Sequence, residues 1–176
     1  MAAIVVSVAA CNKEEENNDN DDNGTTEVPT ATNTSDPTAA AEAEAKVIGG
    51  WTFGQTFITP PADYDNDGDV DSDVTTAYLN DIGGACEVPD LVFDGNGAFM
   101  EATPSGCPSK TDTTGSGTTF SFLNGNQLIL TRVDSFGSSV DTNLVSVSEN
   151  SFSWYAPITD SLGNIMFHYE WRYTKL

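Results

Sequence analysis

The stretch NIMFHYEWRYT (164–174) sets Phe167, Tyr169 and Trp171 on every second residue, with His168, Glu170 and Arg172 between them. Only an extended strand turns alternate residues to opposite faces; a helix would scatter them around its circumference. The same period of two recurs upstream in GWTFGQTFI (50–58), where Trp51, Phe53 and Phe57 alternate, and in DLVFD (90–94) and AFMEA (98–102). It continues through TTFSFL (118–123), QLILTRV (127–133), TNLVSVS (142–148) and SFSWYA (151–156). Between these runs stand Asp94-Gly95-Asn96-Gly97, Asn124-Gly125-Asn126, Glu149-Asn150 and Asp160-Ser161-Leu162-Gly163. Gly and Asn supply the positive φ angles of tight hairpins. Eight strands joined in this way predict an all-β fold, an eight-stranded antiparallel up-and-down β-barrel closed so that no edge remains. A β-sandwich is the alternative arrangement. Within this region only residues 74–82 suit a short helix.

The chain has 176 residues and a formal net charge of −21, from 6 Lys+Arg and 27 Asp+Glu. A surface so acidic repels phosphate backbones, which excludes sequence-independent nucleic-acid binding. All nine Phe, five Tyr and three Trp lie between Trp51 and Tyr173. Residues 47–176 are therefore expected to form the one folded domain. Residues 12–46 are mostly Asn, Asp, Glu, Thr, Pro and Ala, with Val28 their only β-branched aliphatic residue. That composition predicts a disordered acidic tether over 11–46, its AAAEAEAK stretch (39–46) too short to persist as a helix. Such a tether spans roughly 30–35 Å r.m.s..

Ahead of it, residues 1–10 form a short apolar run ending in small residues. Val8-Ala9-Ala10-Cys11 resembles the lipobox of bacterial lipoproteins, where a signal peptidase cuts before a cysteine that is then lipid-modified. The resemblance implies a signal peptide over 1–10, lipidation at Cys11 and attachment to the outer membrane. The run Asn12-Lys13-Glu14-Glu15-Glu16 is similar to the signal that sends some lipoproteins to the cell surface; a periplasm-facing anchor is the alternative.

Gly49-Gly50-Trp51 matches the Gly-x-Trp that opens lipocalin barrels. Together with DYDNDGDVDSD (63–73), ACEVPDLVFDGNGAF (85–99), SGCPS (105–109) and GNQLIL (125–130), it resembles the lipocalin-like domains of bacterial surface lipoproteins over about residues 48–175. The family stacks a late-strand Arg over that Trp. Arg172 shares a face with His168 and Glu170, so an inward aromatic face leaves Arg172 pointing out and that pairing absent.

With Cys11 lipidated, Cys86 and Cys107 remain, flanking one hairpin. They are expected to form a disulfide, worth on the order of 3 kcal/mol for a loop of about 22 residues; two free thiols are the alternative. Asp63, Asp65, Asp67, Asp69, Asp71 and Asp73 alternate around Gly68. This follows the Ca²⁺ loop pattern D-x-[DN]-x-[DN]-G, in which alternate residues of a curled loop offer oxygens to a hard cation. Val74 stands where an EF-hand has its bidentate Glu. A weak structural Ca²⁺ site is expected, in the ~10⁻⁴–10⁻³ M range of extracellular modules.

No nucleophile elbow, phosphate-cradling loop or His-Glu-x-x-His motif occurs, and His168 is the lone histidine. No catalytic residue is assigned, and an enzyme is not expected. Trp51, Phe53, Phe93, Phe122, Phe152, Trp154, Tyr169 and Trp171 are the candidates to line the barrel. An eight-stranded barrel is either filled by such side chains or holds one small apolar ligand. Asp112-Thr113-Thr114 and Asp160-Ser161-Leu162 resemble bacterial O-glycosylation triplets. The expected function is binding of a small hydrophobic ligand or a surface protein partner by a monomer. The alternative is a non-catalytic interaction module with a filled barrel.

Overall fold

The structure, a computed structural model, describes residues 27–108, 117–134 and 137–176. Cys11, the apolar run before it, residues 12–26 and the triplet at Asp112 lie outside the described residues. All eight expected strands are present, as β1 (Gly49–Ala62), β3 (Asp90–Phe93), β4 (Phe99–Ala102), β5 (Thr118–Asn124), β6 (Gln127–Asp134), β7 (Gly137–Val147), β8 (Ser151–Thr159) and β9 (Ile165–Lys175). A three-residue β2 (Asp71–Asp73) folds back on β1.

The strand order is β4-β3-β1-β9-β8-β7-β6-β5, with antiparallel pairing throughout. An isolated bridge from Ala98 to Thr119 joins the two ends. The result is a nearly closed, eight-stranded up-and-down barrel. The last strand returns to the first, so β1 and β9 pair from Trp51↔Lys175 to Thr59↔His168.

That register contains a bulge between Phe53 and Gln55. Phe53 faces inward opposite Tyr173, but one residue extra in β1 inverts the alternation beyond it, so Thr56 and Ile58 point inward and Phe57 outward. Phe57, expected on the face of Trp51 and Phe53, lies instead beneath the Arg172 guanidinium, 3.8 Å from its ring centre. Arg172 is outward, as expected from its neighbours, and Lys175 takes the place over Trp51 at 5.2 Å.

Two helices close what the strands leave open. The eight-residue α2 (Thr75–Ile82) falls within the segment expected to be helical and turns Tyr78, Leu79 and Ile82 onto the core. The other, α1 (Pro37–Val47), is a correction: residues 37–46 were expected in the disordered tether, and Val47 at the start of the folded domain. Asp36 caps it by accepting from the Thr38 and Ala39 N–H groups at 3.1 Å, with Pro37 in the first turn. Ala40, Ala43 and Val47, spaced along one face, are buried in the barrel core. An isolated helix this short is marginal in water, and tertiary contact supplies the missing stability. Trp51 Nε1–H donates to the Val47 carbonyl at 2.7 Å, and the Phe122 N–H donates to Glu44 Oε1 at 3.2 Å. The Asp36 N–H reaches the Leu123 carbonyl at 3.1 Å. α1 thus covers the edge of β5, where pairing with β4 is reduced to one bridge.

Candidate functional site

Cross-strand pairing puts all eight candidate barrel-lining residues on the inward face. Trp154 is opposite Trp171, Phe152 opposite Tyr173, Ile58 opposite Tyr169 and Phe122 opposite Leu128. Trp51 and Phe53 face Lys175 and Tyr173, and Phe93 faces Phe99. Their environments differ. Trp51, Phe93 and Phe152 are fully buried, with Trp51–Phe152 and Phe93–Phe152 ring centres 5.8 and 5.6 Å apart. Phe99 and Phe120 each pack 5.1 Å from Phe93. This end of the barrel, nearest α1, is filled by its own side chains.

Towards the other end a cleft of about 210 Å³ remains, lined by Tyr78, Glu87, Val88, Pro89, Leu91, Glu101, Trp154, Trp171 and Tyr173. It opens between two cross-strand partners whose rings turn apart. Trp171 stacks on Tyr169 at 5.3 Å and meets Tyr78 at 6.2 Å, whereas Trp154 leans on Phe99 and Phe152. Of the eight expected residues, only Trp154 and Trp171 line this cleft. Tyr78 comes from α2, Glu87 from the 3-10 turn Ala85–Glu87, and Glu101 from β4, on the face that carries Phe99. Sequence reasoning named none of these three. The period-two pattern of AFMEA could have flagged Glu101 as a carboxylate on an inward face. The disulfide Cys86–Cys107, with Cα atoms 5.5 Å apart, fixes the 3-10 turn beside the cleft. Burial pushes the hydroxyls of Tyr78 and Tyr173 towards higher pKa, and for Tyr173 the neighbouring Tyr78, Glu101 and Asp90 add to the shift.

At the end of β1 the acidic loop curls through Asn66 and Gly68, both at positive φ (62° and 100°). Side-chain oxygens of Asp63, Asp65 and Asp67 come within 4.8 Å of one another, all exposed. Oxygens around one Ca²⁺ at 2.3–2.6 Å are separated by up to about 5 Å, so these three fit a shared hard cation. Asp69 and Asp71 are close enough to matter electrostatically. The Asp71 carboxyl is pushed up by desolvation and by the charges of Asp65, Asp67, Asp69 and Asp63. Asp73 instead anchors the start of α2, where its Oδ1 accepts from the Thr75 hydroxyl at 2.6 Å and the Thr75 N–H at 3.0 Å.

On the outward face His168 lies between Thr59 and Pro157. Its neighbour on that face, Glu170, is buried and fully engaged. Oε1 accepts from Arg172 Nε at 2.7 Å, Ser153 Oγ at 2.8 Å and Tyr155 Oη at 3.3 Å, while Oε2 accepts from Arg172 at 3.1 Å. This is the arrangement of a structural ion pair. No protein-family model matches the chain, and no curated protein matches it in sequence.

Proposed function

We propose that this chain is a lipid-anchored, lipocalin-like binding protein of the bacterial outer membrane, facing outward, which takes a small ligand in the cleft between Trp154 and Trp171. The observation that carries this is the cleft itself: an aromatic-walled opening of about 210 Å³ beside the buried core of Trp51, Phe93 and Phe152. It lies below the ~300–1,000 Å³ of drug-sized pockets, which limits the ligand to a small molecule. The deep aromatic residues Trp51, Phe93, Phe122 and Phe152 serve as core. Lipidation at Cys11 rests on the lipobox, and outward display on Lys13 and the acids after it. Asp63, Asp65 and Asp67 would hold the structural Ca²⁺, whose chemistry is charge neutralisation. Residues 30–36 pack beside the β5–β6 turn, through Thr30, Thr32 and Thr34 to Asn124 and Asn126. Residues 30–36 therefore lie at the filled end of the barrel, away from the acidic loop.

A filled barrel also supports a second reading, a non-catalytic interaction module of a surface assembly with no small ligand. A fragment screen by tryptophan fluorescence separates the two. Ligands that perturb the wild type but not Trp154→Ala support the cleft; the absence of any such fragment favours the interaction module. The anchor is tested separately: Cys11→Ser should abolish lipid labelling, and unchanged labelling would refute it.

A further inference from the structure

We infer that the cleft is selective for a small organic cation of the methylated-ammonium class, bound by the faces of Trp154, Trp171 and Tyr78 with Glu101 as counter-ion. This rests on the small-ligand reading of the same cleft and goes beyond it by naming the ligand chemistry.

The inference starts from an anomaly. Glu101 is half-buried on the inward face, opposite Leu91 and two residues from the buried Phe99. Among the described residues its carboxylate makes no hydrogen bond and no ion pair. A carboxylate beside aromatic rings with no cation of its own is a ready counter-ion for a bound positive charge. The described chain offers it none. Arg172 is held by Glu170 on the outer face, and Lys175 lies over Trp51, reaching the Lys46 carbonyl at 3.1 Å. Glu87, exposed, also lines the mouth of the cleft.

The walls match the same ligand. Aromatic faces carry negative quadrupole density and attract cations, most strongly at Trp and where water is excluded. A methylated ammonium has no N–H to satisfy and loses little on leaving water, so it suits a cleft whose other lining is Val88, Pro89 and Leu91. The net charge of −21 favours a cation's approach and opposes an anion's. A free monocation is therefore expected rather than a phosphate-linked lipid headgroup.

The test uses the full chain with choline, phosphocholine and choline's neutral carbon isostere, dimethylbutanol, read by tryptophan fluorescence and calorimetry. Choline should bind at least about tenfold more tightly than the neutral alcohol, and phosphocholine more weakly than choline. Glu101→Gln should weaken choline about tenfold and leave the alcohol unchanged, with an unaltered near-UV spectrum reporting an intact fold. Equal binding of choline and the alcohol would overturn the cation inference while leaving the small-ligand reading standing. Tighter phosphocholine, or undiminished choline binding by Glu101→Gln, would overturn it as well. Binding of none of the three would overturn it too, and the small-ligand reading would then stand or fall on the ligand that co-purifies.

Discussion

Glu170 shows how one side chain can hold two strands together. It joins Ser153 and Tyr155 on β8 to Arg172 on β9, and that guanidinium covers Phe57 on β1. Replacing one partner of a buried pair strands the other, so Glu170→Ala should cost about 3 kcal/mol in denaturant unfolding; a loss under ~1 kcal/mol would mean that the pair is solvated. The hairpin aspartates act at the same scale. Asp94 accepts from the Ala98 and Asn96 N–H groups, and Asp160 is held by the Asn164 side chain and N–H. These bonds depress both carboxyls below their usual value of 3.8. The stability they contribute is present above that value and is lost as pH falls below it through the depressed one. An Asp94→Asn, Asp160→Asn double variant should therefore melt lower than wild type at neutral pH, with the difference closing in acid. Asp71 has the opposite sign. Its carboxyl is raised, so its charge weakens the fold above the raised pKa, and protonation restores stability as pH falls towards 3.8. With chelator present, Asp71→Asn should melt higher at pH 7, and this advantage should shrink in acid.

At the scale of elements, the strands were legible because half-burial imposes a period of two, and every expected strand formed. The inversion at Phe57 was not. It depends on a bulge at Gly54, and a lone Gly in a strand marks either a bulge or a close approach without saying which. The helix α1 escaped for a different reason. Ala40, Ala43 and Val47 carry its apolar face, but Ala buries too little surface to signal a core by composition, and the stabilising partners, Trp51 and β5, lie outside the helix itself. Val47→Ala should destabilise by roughly 1–2 kcal/mol, measured by equilibrium unfolding; no effect would show that α1 does not belong to the cooperative unit. The candidate cleft was legible only in part for the same reason. Trp154 and Trp171 follow from alternation, whereas Tyr78 and Glu87 reach it through a helix and a turn whose placement alternation cannot supply. Replacing Cys86 and Cys107 by Ser together should cost on the order of 3 kcal/mol and loosen the turn that carries Glu87.

Across the whole molecule, the barrel is divided along its length. The core near α1 is filled by Trp51, Phe93 and Phe152, and the cleft and the acidic loop lie towards the other end. Millimolar Ca²⁺ should raise the melting temperature and chelator should lower it, and the triple Asp63→Asn, Asp65→Asn, Asp67→Asn variant should lose the response. A response retained by that variant would put the ion elsewhere. The most direct measurement is a native mass spectrum of the full chain, purified gently from membranes with calcium present. The proposed function predicts a small-molecule adduct that disappears in Trp154→Ala. A bare protein, or an adduct indifferent to that substitution, would contradict the cleft as the binding site.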